Sequence, residues 1–252
     1  MLKRIWRPIF FVVLLGCLSA VSFVVTRHVQ SQTPARVPFT VTLQEQDFDE
    51  KGVLFRSENQ LYAFRADGSQ VRILQKPDPE SNIHNVAWIV DTSDEKSISI
   101  HPSTQSRTTL RLSKGQIDQQ FRRPDNSCSV LASKERKNIL GYETVRVVIP
   151  IPARPGKKTS MEEWQAPALD CFPLLSITTF ESPTDTGRNV RTATFVVPGE
   201  PAATLFAVPD NYVERSPAEA AAEYAKRFPG RRVSTDQVIQ RAEERYNKSK
   251  RP

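Results

Sequence analysis

Apolar and polar residues alternate through the central part of the chain. Phe39, Val41 and Leu43 alternate with polar neighbours, which is the period of two expected of a strand with one buried face. Shorter apolar runs follow at residues 53–56, 60–66, 71–74, 86–90, 98–101 and 108–112. Residues typical of turns separate these runs, and Asp67-Gly68 suits a tight hairpin. Because no helical pattern lies between the runs, we predict an antiparallel meander of strands.

Helical patterns begin only near the C-terminus. Ser216, Pro217 and Glu219 have the spacing of a capping box with proline at the first helical position, and an alanine-rich segment follows. Ser234 and Gln237 have the spacing of a second capping box. The segment after it carries one apolar stripe and one highly charged face, so we expect this second helix to dock on the β domain.

An uncharged, mostly apolar run extends over residues 9–25. Lys3, Arg4 and Arg7 precede the run, and Arg27 follows it. A helix of this length spans about 25 Å, slightly less than the hydrocarbon core of a bilayer. The cations that precede the run stay on the cytoplasmic side, so the chain after Arg27 is predicted to lie across the membrane. The run is either an uncleaved signal anchor or part of a signal peptide that is removed.

The pattern divides the chain into four segments. These are a signal anchor or signal peptide (1–26), a linker (27–38), an antiparallel β domain (39–215), and C-terminal helices with a basic tail (216–252). Two prolines among polar residues make the linker a tether between membrane and domain. We therefore predict a cell-envelope protein, anchored in the inner membrane, with its domain in the periplasm or another extracytoplasmic space.

The chain has three cysteines. Cys17 lies in the apolar run, and residues 14–17 resemble the lipobox of bacterial lipoproteins, whose cysteine is acylated. The alternative for Cys17 is an ordinary lipid-facing residue of a membrane helix. Cys128 and Cys171 form the only possible intramolecular pair of an exported domain, where disulfides persist. We predict a bridge between them, and two unpaired buried thiols are the alternative.

The formal net charge is +7, and much of the excess lies at the two ends of the chain. In an exported protein, a basic C-terminal tail suits anionic lipid, peptidoglycan or an acidic protein partner. The alternative is a solvated helix face with no partner. No aromatic interleaving supports base stacking, so nucleic acid is not expected as a partner.

A short stretch of the chain, residues 138–180, resembles a known family. Gly141-Tyr142 begins one predicted strand, Trp164 lies near the end of the next before a short turn, and Pro173-Leu174 opens a third. This layout is similar to the central hairpins of the lipoprotein-sorting carrier superfamily of bacterial envelopes. The resemblance implies an open half-barrel whose helices cover an apolar cavity that carries or senses lipoproteins. The expected fold is α+β and mostly β: a curved antiparallel sheet with two C-terminal helices and an N-terminal transmembrane helix.

Apolar residues occupy both faces of two predicted strands, at residues 174–177 and 193–197. In a sheet with one solvated face the outward residues would be polar. Both faces must therefore be covered, either by helices and loops or by a ligand or partner. Core packing is the alternative to ligand contact for each of the four candidate residues named next. The residues expected to line a ligand site are Tyr142, Trp164, Leu174 and Phe195.

No arrangement of residues predicts catalysis. A Gly-x-Ser-x-Gly elbow is absent, and nine glycines leave little room for a phosphate-binding loop. His84 and His101 flank a predicted turn but lack an obvious third metal ligand. Glu162 and Glu163 are adjacent on a strand, so they point to opposite faces and form no carboxylate pair. We predict no metal, no cofactor and no enzymatic activity.

The leading hypothesis is a non-enzymatic, membrane-tethered envelope protein. Its β domain would bind an apolar ligand, either a lipid or a lipoprotein, or it would bind a partner protein of the envelope. The first alternative is a structural or assembly module of a membrane protein complex, which would use the anchor and the basic C-terminal helix as contacts. The second alternative is an envelope hydrolase whose site is assembled from residues distant in sequence.

Overall fold

A computed structural model of the chain describes residues 36–75, 87–121, 128, 132–151, 158–182, 185–227 and 236–249. All of these residues belong to one compact unit. The predicted signal anchor or signal peptide lies outside the described residues, as does most of the linker. Within the described ranges, no helix is long and apolar enough to cross a membrane.

The described residues contain twelve strands and three α-helices. The strands are β1 (Phe39–Asp49), β2 (Leu54–Phe64), β3 (Gln70–Leu74), β4 (Ala87–Asp91), β5 (Lys96–His101), β6 (Ser106–Arg111), β7 (Ala132–Ile139), β8 (Tyr142–Ile149), β9 (Lys158–Ala166), β10 (Phe172–Ser182), β11 (Asp185–Pro198) and β12 (Val213–Glu214). The helices are α1 (Lys114–Phe121), α2 (Pro217–Arg227) and α3 (Asp236–Ser249).

All twelve strands belong to one sheet of order β12-β6-β5-β4-β3-β2-β1-β11-β10-β9-β8-β7. Two antiparallel meanders, β1 to β6 and β7 to β11, meet where β1 pairs with β11. Only β12 runs parallel to its neighbour, β6. The chain therefore passes from β6, near one edge, to β7, at the opposite edge, and the sheet does not close. The α+β, mostly β fold and the curved, unclosed antiparallel sheet are confirmed, and so are two C-terminal helices.

Local signals explain the elements, including one that the sequence prediction missed. In α2 the Ser216 amide donates to Glu219 Oε2 over 2.7 Å, and the Glu219 amide donates to Ser216 Oγ, which is the predicted capping box. The second predicted box lies outside the described side chains. The expectation that helices occur only near the C-terminus was wrong, because α1 follows β6. Ser113 and Gln116 exchange the same reciprocal bonds there, a capping box with glutamine.

The strand β2 is longer than predicted. Two separate runs, 53–56 and 60–66, were expected, because Ser57, Glu58 and Asn59 are polar. The structure places all of them in one strand paired with β1 along its length. Glu58 is buried and is directly opposite Glu45, which is half-buried. Polarity alone therefore did not mark a break, because pairing with β1 continues through these residues and buries Glu58.

We call the face that carries Phe39, Val41 and Leu43 the inner face of the sheet. Strands in a sheet lie about 4.8 Å apart, so β2 and β10, which β1 and β11 separate, would be about 14 Å apart in a flat sheet. The rings of Phe64 on β2 and Phe172 on β10 nevertheless approach to 5.3 Å between centroids. The sheet therefore curves around its inner face.

The opposite, outer face is covered only in part. On β2 to β5 it carries a buried cluster of Ala63, Val71, Ile89, Ile98 and Ile100. The loop between β11 and β12 covers this cluster with the side chains of Leu205, Phe206, Val208 and Tyr212. On β11, Phe195 and Val197 of the outer face are exposed. The loop therefore covers the outer face over β2 to β5 and leaves these two side chains in solvent.

The predicted disulfide between Cys128 and Cys171 is confirmed, with their Cα atoms 5.1 Å apart. Both cysteines are buried beside Val145 and Val147, which lie on the inner face of β8. Cys128 belongs to the connection from β6 to β7, and Ile117 of α1, earlier in that connection, packs against Val90 and Leu112. The crossing chain is therefore fixed to the sheet at two separated points.

Candidate functional site

The inner face changes character halfway along four adjacent strands. On β1, the buried Phe39, Val41 and Leu43 are followed on the same face by Glu45 and Asp47. The neighbouring strands change at the same level, from Phe64 and Tyr62 to Gln60 and Glu58 on β2, from Val196 and Ala193 to Arg191 and Asn189 on β11, and from Phe172 and Leu174 to Ser176 and Thr178 on β10. We call these two parts the apolar half and the polar half of the inner face.

Four rings form the centre of the apolar half, and we call Phe39, Tyr62, Phe64 and Phe172 the aromatic cluster. Centroid distances of 4.8 Å for Phe39–Phe64 and 5.5 Å for Phe39–Phe172 put the rings in direct contact. Phe39 and Phe172 are buried, whereas Tyr62 and Phe64 are only half-buried. The aromatic cluster thus has a packed base and a partly open apolar surface.

The polar half is a network of paired charges. Arg56 is its central cation, with its guanidinium 2.7 Å from Asp47, 3.3 Å from Glu45 and 3.5 Å from Glu58. Asn189 donates to Glu45 over 3.0 Å and to Asp47 over 2.6 Å. Glu58 is buried, and its Oε1 accepts no hydrogen bond, since Arg56 is within ion-pair range only. Three carboxylates therefore share one arginine.

Tyr62 lies at the boundary between the two halves. Its hydroxyl donates to Gln60 Oε1 over 3.0 Å, and Gln60, only 1% exposed, donates in turn to Glu45. Arg72 donates to the same Gln60 oxygen over 3.1 Å, and its guanidinium lies 5.7 Å from the centre of the Tyr62 ring. Burial raises the pKa of the Tyr62 hydroxyl, against the opposing effect of Arg72 and Arg191.

A separate cavity of about 290 Å³ lies on the outer face, under the loop between β11 and β12. Ile89 and Ile98 form part of its lining, together with Phe206 of the loop and three cations. Each of those cations already has a carboxylate partner: Arg65 has Glu200 at 2.9 Å, Arg107 has Glu214 at 3.2 Å, and Lys96 has Asp91 at 3.4 Å. Burial acts to raise the pKa of Asp91, but the hydrogen bonds from Ser93 and Asp94 and the charge of Lys96 together hold that pKa below its ordinary value.

The four residues predicted to line a ligand site occupy different places. Leu174 is completely buried in the core beneath the aromatic cluster, and Tyr142 packs against the same core at half exposure. Trp164 lies on the outer face of β9, where its indole donates to Glu162 over 3.0 Å and Lys137 lies 5.6 Å from its ring. Phe195 is 63% exposed on the outer face of β11. The structure thus brings Leu174 and Tyr142 together, and Trp164 and Phe195 lie outside that core.

The residues considered for metal binding and catalysis have structural partners. His101 approaches Thr108 Oγ1 at 3.4 Å, and His84 lies outside the described residues. Glu162 and Glu163 point to opposite faces as predicted: Glu162 pairs with Arg146 at 2.7 Å, and buried Glu163 accepts from Gln165. The bond from Arg146 lowers the pKa of Glu162. Within the described part of the chain no group of three His, Cys, Asp or Glu residues could hold a metal ion.

Sequence reasoning missed the boundary residues Tyr62, Gln60, Arg72 and Arg191. One signal for them was present, because the period-two pattern of β1 continues past Leu43 with charged instead of apolar residues. The matching change on β11 involves residues about 150 positions away, and only the register of the sheet places them side by side.

No protein-family model matches the chain, and a search of curated proteins finds no match either. Among solved structures, an uncharacterized conserved protein from Thermus thermophilus is 11% identical, with a TM-score of 0.42 over 70% of this chain and 89% of that one. MucB is 14% identical, with a TM-score of 0.39 over 73% of this chain and 63% of that one. A LolA superfamily protein from Nitrosomonas europaea is 8% identical, with a TM-score of 0.33 over 69% of this chain and 91% of that one.

Proposed function

We propose that this chain is a non-enzymatic protein of the cell envelope that binds an amphipathic ligand, a lipid or the acylated end of a lipoprotein, on the inner face of its sheet. The observation that carries the proposal is the change from apolar to charged residues at one level across β2, β1, β11 and β10. An amphipathic molecule has the same two parts in the same order. Its chain would contact the aromatic cluster, and its headgroup would lie at the polar half.

The packing supports a ligand surface beside the core. Concave, mostly apolar surfaces with a few placed polar groups are the usual form of small-molecule sites. Tyr62 and Phe64 present half-buried rings on the side toward which the sheet curves. Leu174 would support this surface from below, and Tyr142 would lie at its margin. Trp164 and Phe195, on the outer face, would not contact a ligand in this position.

The location proposed for the protein rests on two features. The disulfide between Cys128 and Cys171 suits an oxidising compartment outside the cytosol. The apolar N-terminal run with its flanking cations suits export, and we propose that it anchors the chain in the inner membrane. Both features are compatible with a protein that receives its ligand from a membrane.

A pair of matched variants tests the proposed function. Phe64→Asp places a charge in the aromatic cluster, and Phe195→Asp places the same charge on the outer face. The chain is purified without added lipid and examined by native mass spectrometry, with a thermal melt as a folding control. We expect lipid on the wild type and on Phe195→Asp, and none on a folded Phe64→Asp. Lipid loss in Phe195→Asp alone, or a wild type that binds none of a panel of added lipids, would contradict the proposal.

A second candidate function, assembly with a partner protein, has its own observation. Phe195 and Val197 are 63% and 45% exposed, side by side on the outer face of β11. Adjacent exposed apolar residues are a feature of protein contacts. A stoichiometric partner that is lost from Phe195→Asp but retained by Phe64→Asp would favour this function.

A further inference from the structure

Two arginines on the inner face, Arg72 and Arg191, differ from Arg56 and from the cations that line the outer cavity. Arg56 and the three cations of the outer cavity each have a carboxylate within 4.0 Å. Within the described residues, neither Arg72 nor Arg191 has one. A guanidinium without a carboxylate partner retains donors for an anion from outside the protein.

Arg72 is exposed and only partly engaged by the protein. Its Nε donates to Gln60, and its guanidinium stacks near Tyr62. Arg191 is half-buried, and its contact with Ser176 Oγ is long, at 3.5 Å. Both side chains are on the inner face, Arg72 directly opposite Tyr62 and Arg191 directly opposite Glu45. Arg72 thus lies beside the Tyr62 ring, and Arg191 is on the same face, two residues before Ala193 of the apolar half. Both arginines also act to lower the pKa of the Tyr62 hydroxyl, against the effect of burial.

The acidic residues of the polar half do not take up these arginines. Glu45 and Asp47 are bonded by Arg56 and Asn189, and Glu45 also accepts from Gln60. The carboxylates therefore have their own donors, and the two arginines remain at the boundary with the aromatic cluster. A headgroup whose chain lies on that cluster would arrive at this boundary.

We infer that Arg72 and Arg191 bind an anionic headgroup, a phosphate or a carboxylate, of the ligand whose chain contacts the aromatic cluster. This inference rests on the proposed function and specifies its ligand as an anionic amphiphile. Charge-assisted bonds from guanidinium to phosphate or carboxylate are about twice as strong as neutral ones, and they favour these anions over an alcohol.

Three ligands with the same chain test the inference. Dodecyl phosphate, dodecanoate and dodecanol are radiolabelled, and their binding to the full-length protein is measured by equilibrium dialysis below their micellar concentrations. The variants are Arg72→Gln, Arg191→Gln and, as a control, Arg188→Gln, which removes one exposed cation from the outer face. Arg72→Lys keeps the charge and replaces the planar donor. A thermal melt accompanies each variant.

We expect the wild type to bind at least one anion on the order of tenfold or more tightly than dodecanol. Arg72→Gln and Arg191→Gln should each reduce that preference on the order of tenfold while leaving dodecanol binding unchanged. Arg72→Lys should retain part of the preference, and Arg188→Gln all of it. A preference for the phosphate would indicate a phospholipid source, and a preference for the carboxylate would indicate a fatty acid.

Two results would overturn the inference in different ways. If all three ligands bind equally and no arginine variant matters, the anionic headgroup is refuted and the proposed function stands. If none of the three binds, the proposed function fails and the inference fails with it.

Discussion

The apolar and polar halves of the inner face are built from the same four strands, yet they depend on different physical terms. In the apolar half, Leu174 and the aromatic cluster are stabilised by removing apolar surface from water and by close packing. In the polar half, Arg56 and three carboxylates replace contacts with water by contacts with each other. The desolvation cost offsets most of the electrostatic gain, so these contacts contribute little to the free energy of folding. The comparison teaches that the apolar half supplies most of the stability of the inner face. The polar half contributes little stability and mainly determines which chemical groups a bound molecule can place next to the aromatic cluster.

The largest expected effect is at the disulfide, which ends directly before Phe172 of the aromatic cluster. Replacing Cys128 and Cys171 by serine should lower the free energy of unfolding by about 4 kcal/mol on the chain-entropy model. Denaturant unfolding of the variant and of the oxidised wild type measures the difference. Equal denaturant midpoints for the two proteins would show that the disulfide does not stabilise the connection from β6 to β7.

A comparison within β10 separates the two halves more directly. Leu174 and Ser176 lie on the same face of one strand and are both buried, one in each half. Leu174→Ala should cost about 3 kcal/mol, because it leaves a cavity in the core. Ser176→Ala should cost about 1 kcal/mol or less, since it loses at most one long hydrogen bond. Equal losses in denaturant unfolding would remove the energetic distinction between the halves.

In the polar half, we expect two substitutions to change the free energy of unfolding in different directions. Arg56→Gln leaves three carboxylates without their shared cation and should cost about 2 kcal/mol. Glu58→Gln removes one of those carboxylates, whose Oε1 accepts no hydrogen bond, and should be neutral or stabilising. Chemical unfolding at neutral pH and low salt measures both variants. A Glu58→Gln variant that is less stable than Arg56→Gln would contradict this description of the network.

The smallest effect concerns the boundary residue Tyr62. Because its pKa is raised in the folded state, the neutral hydroxyl contributes stability that is fully present below about pH 10, the ordinary tyrosine pKa. This contribution is lost as the pH rises through the higher folded-state pKa. The stability advantage of the wild type over Tyr62→Phe should therefore shrink above pH 10. Unfolding free energies of both proteins between pH 8 and 11 test this, and an advantage that grows with pH would contradict a raised pKa.

The sequence predicted local features better than long-range ones. The alternation in β1, the Ser216 capping box and the pair Cys128–Cys171 each depend on nearby residues or on elimination, and all are present. The pairing of β1 with β11 could not be predicted, because it depends on strands about 150 residues apart finding a common register. The boundary between the apolar and polar halves depends on that register, so the residues at the boundary could not be predicted from the sequence.

The long polar stretch of β2 shows a second limit. Ser57, Glu58 and Asn59 suggest a loop by composition, since polar residues usually mark exposed segments. In the structure, Arg56 and Gln60 contact the carboxylates of this region, and the stretch continues as a strand in which Glu58 is buried. Contacts with residues on other strands thus keep these polar residues in a strand, and such contacts cannot be located from the sequence alone.

The central claim is that an amphipathic ligand lies on the inner face, with its chain on the aromatic cluster. The most direct test is photo-crosslinking of the full-length protein with a fatty acid that carries a diazirine in the middle of its chain, followed by peptide mass spectrometry. The account predicts labels at Tyr62 and Phe64, the half-buried rings of the aromatic cluster, and excess unlabelled fatty acid should remove them. Labels confined to Phe195 and Val197 on the outer face would contradict it.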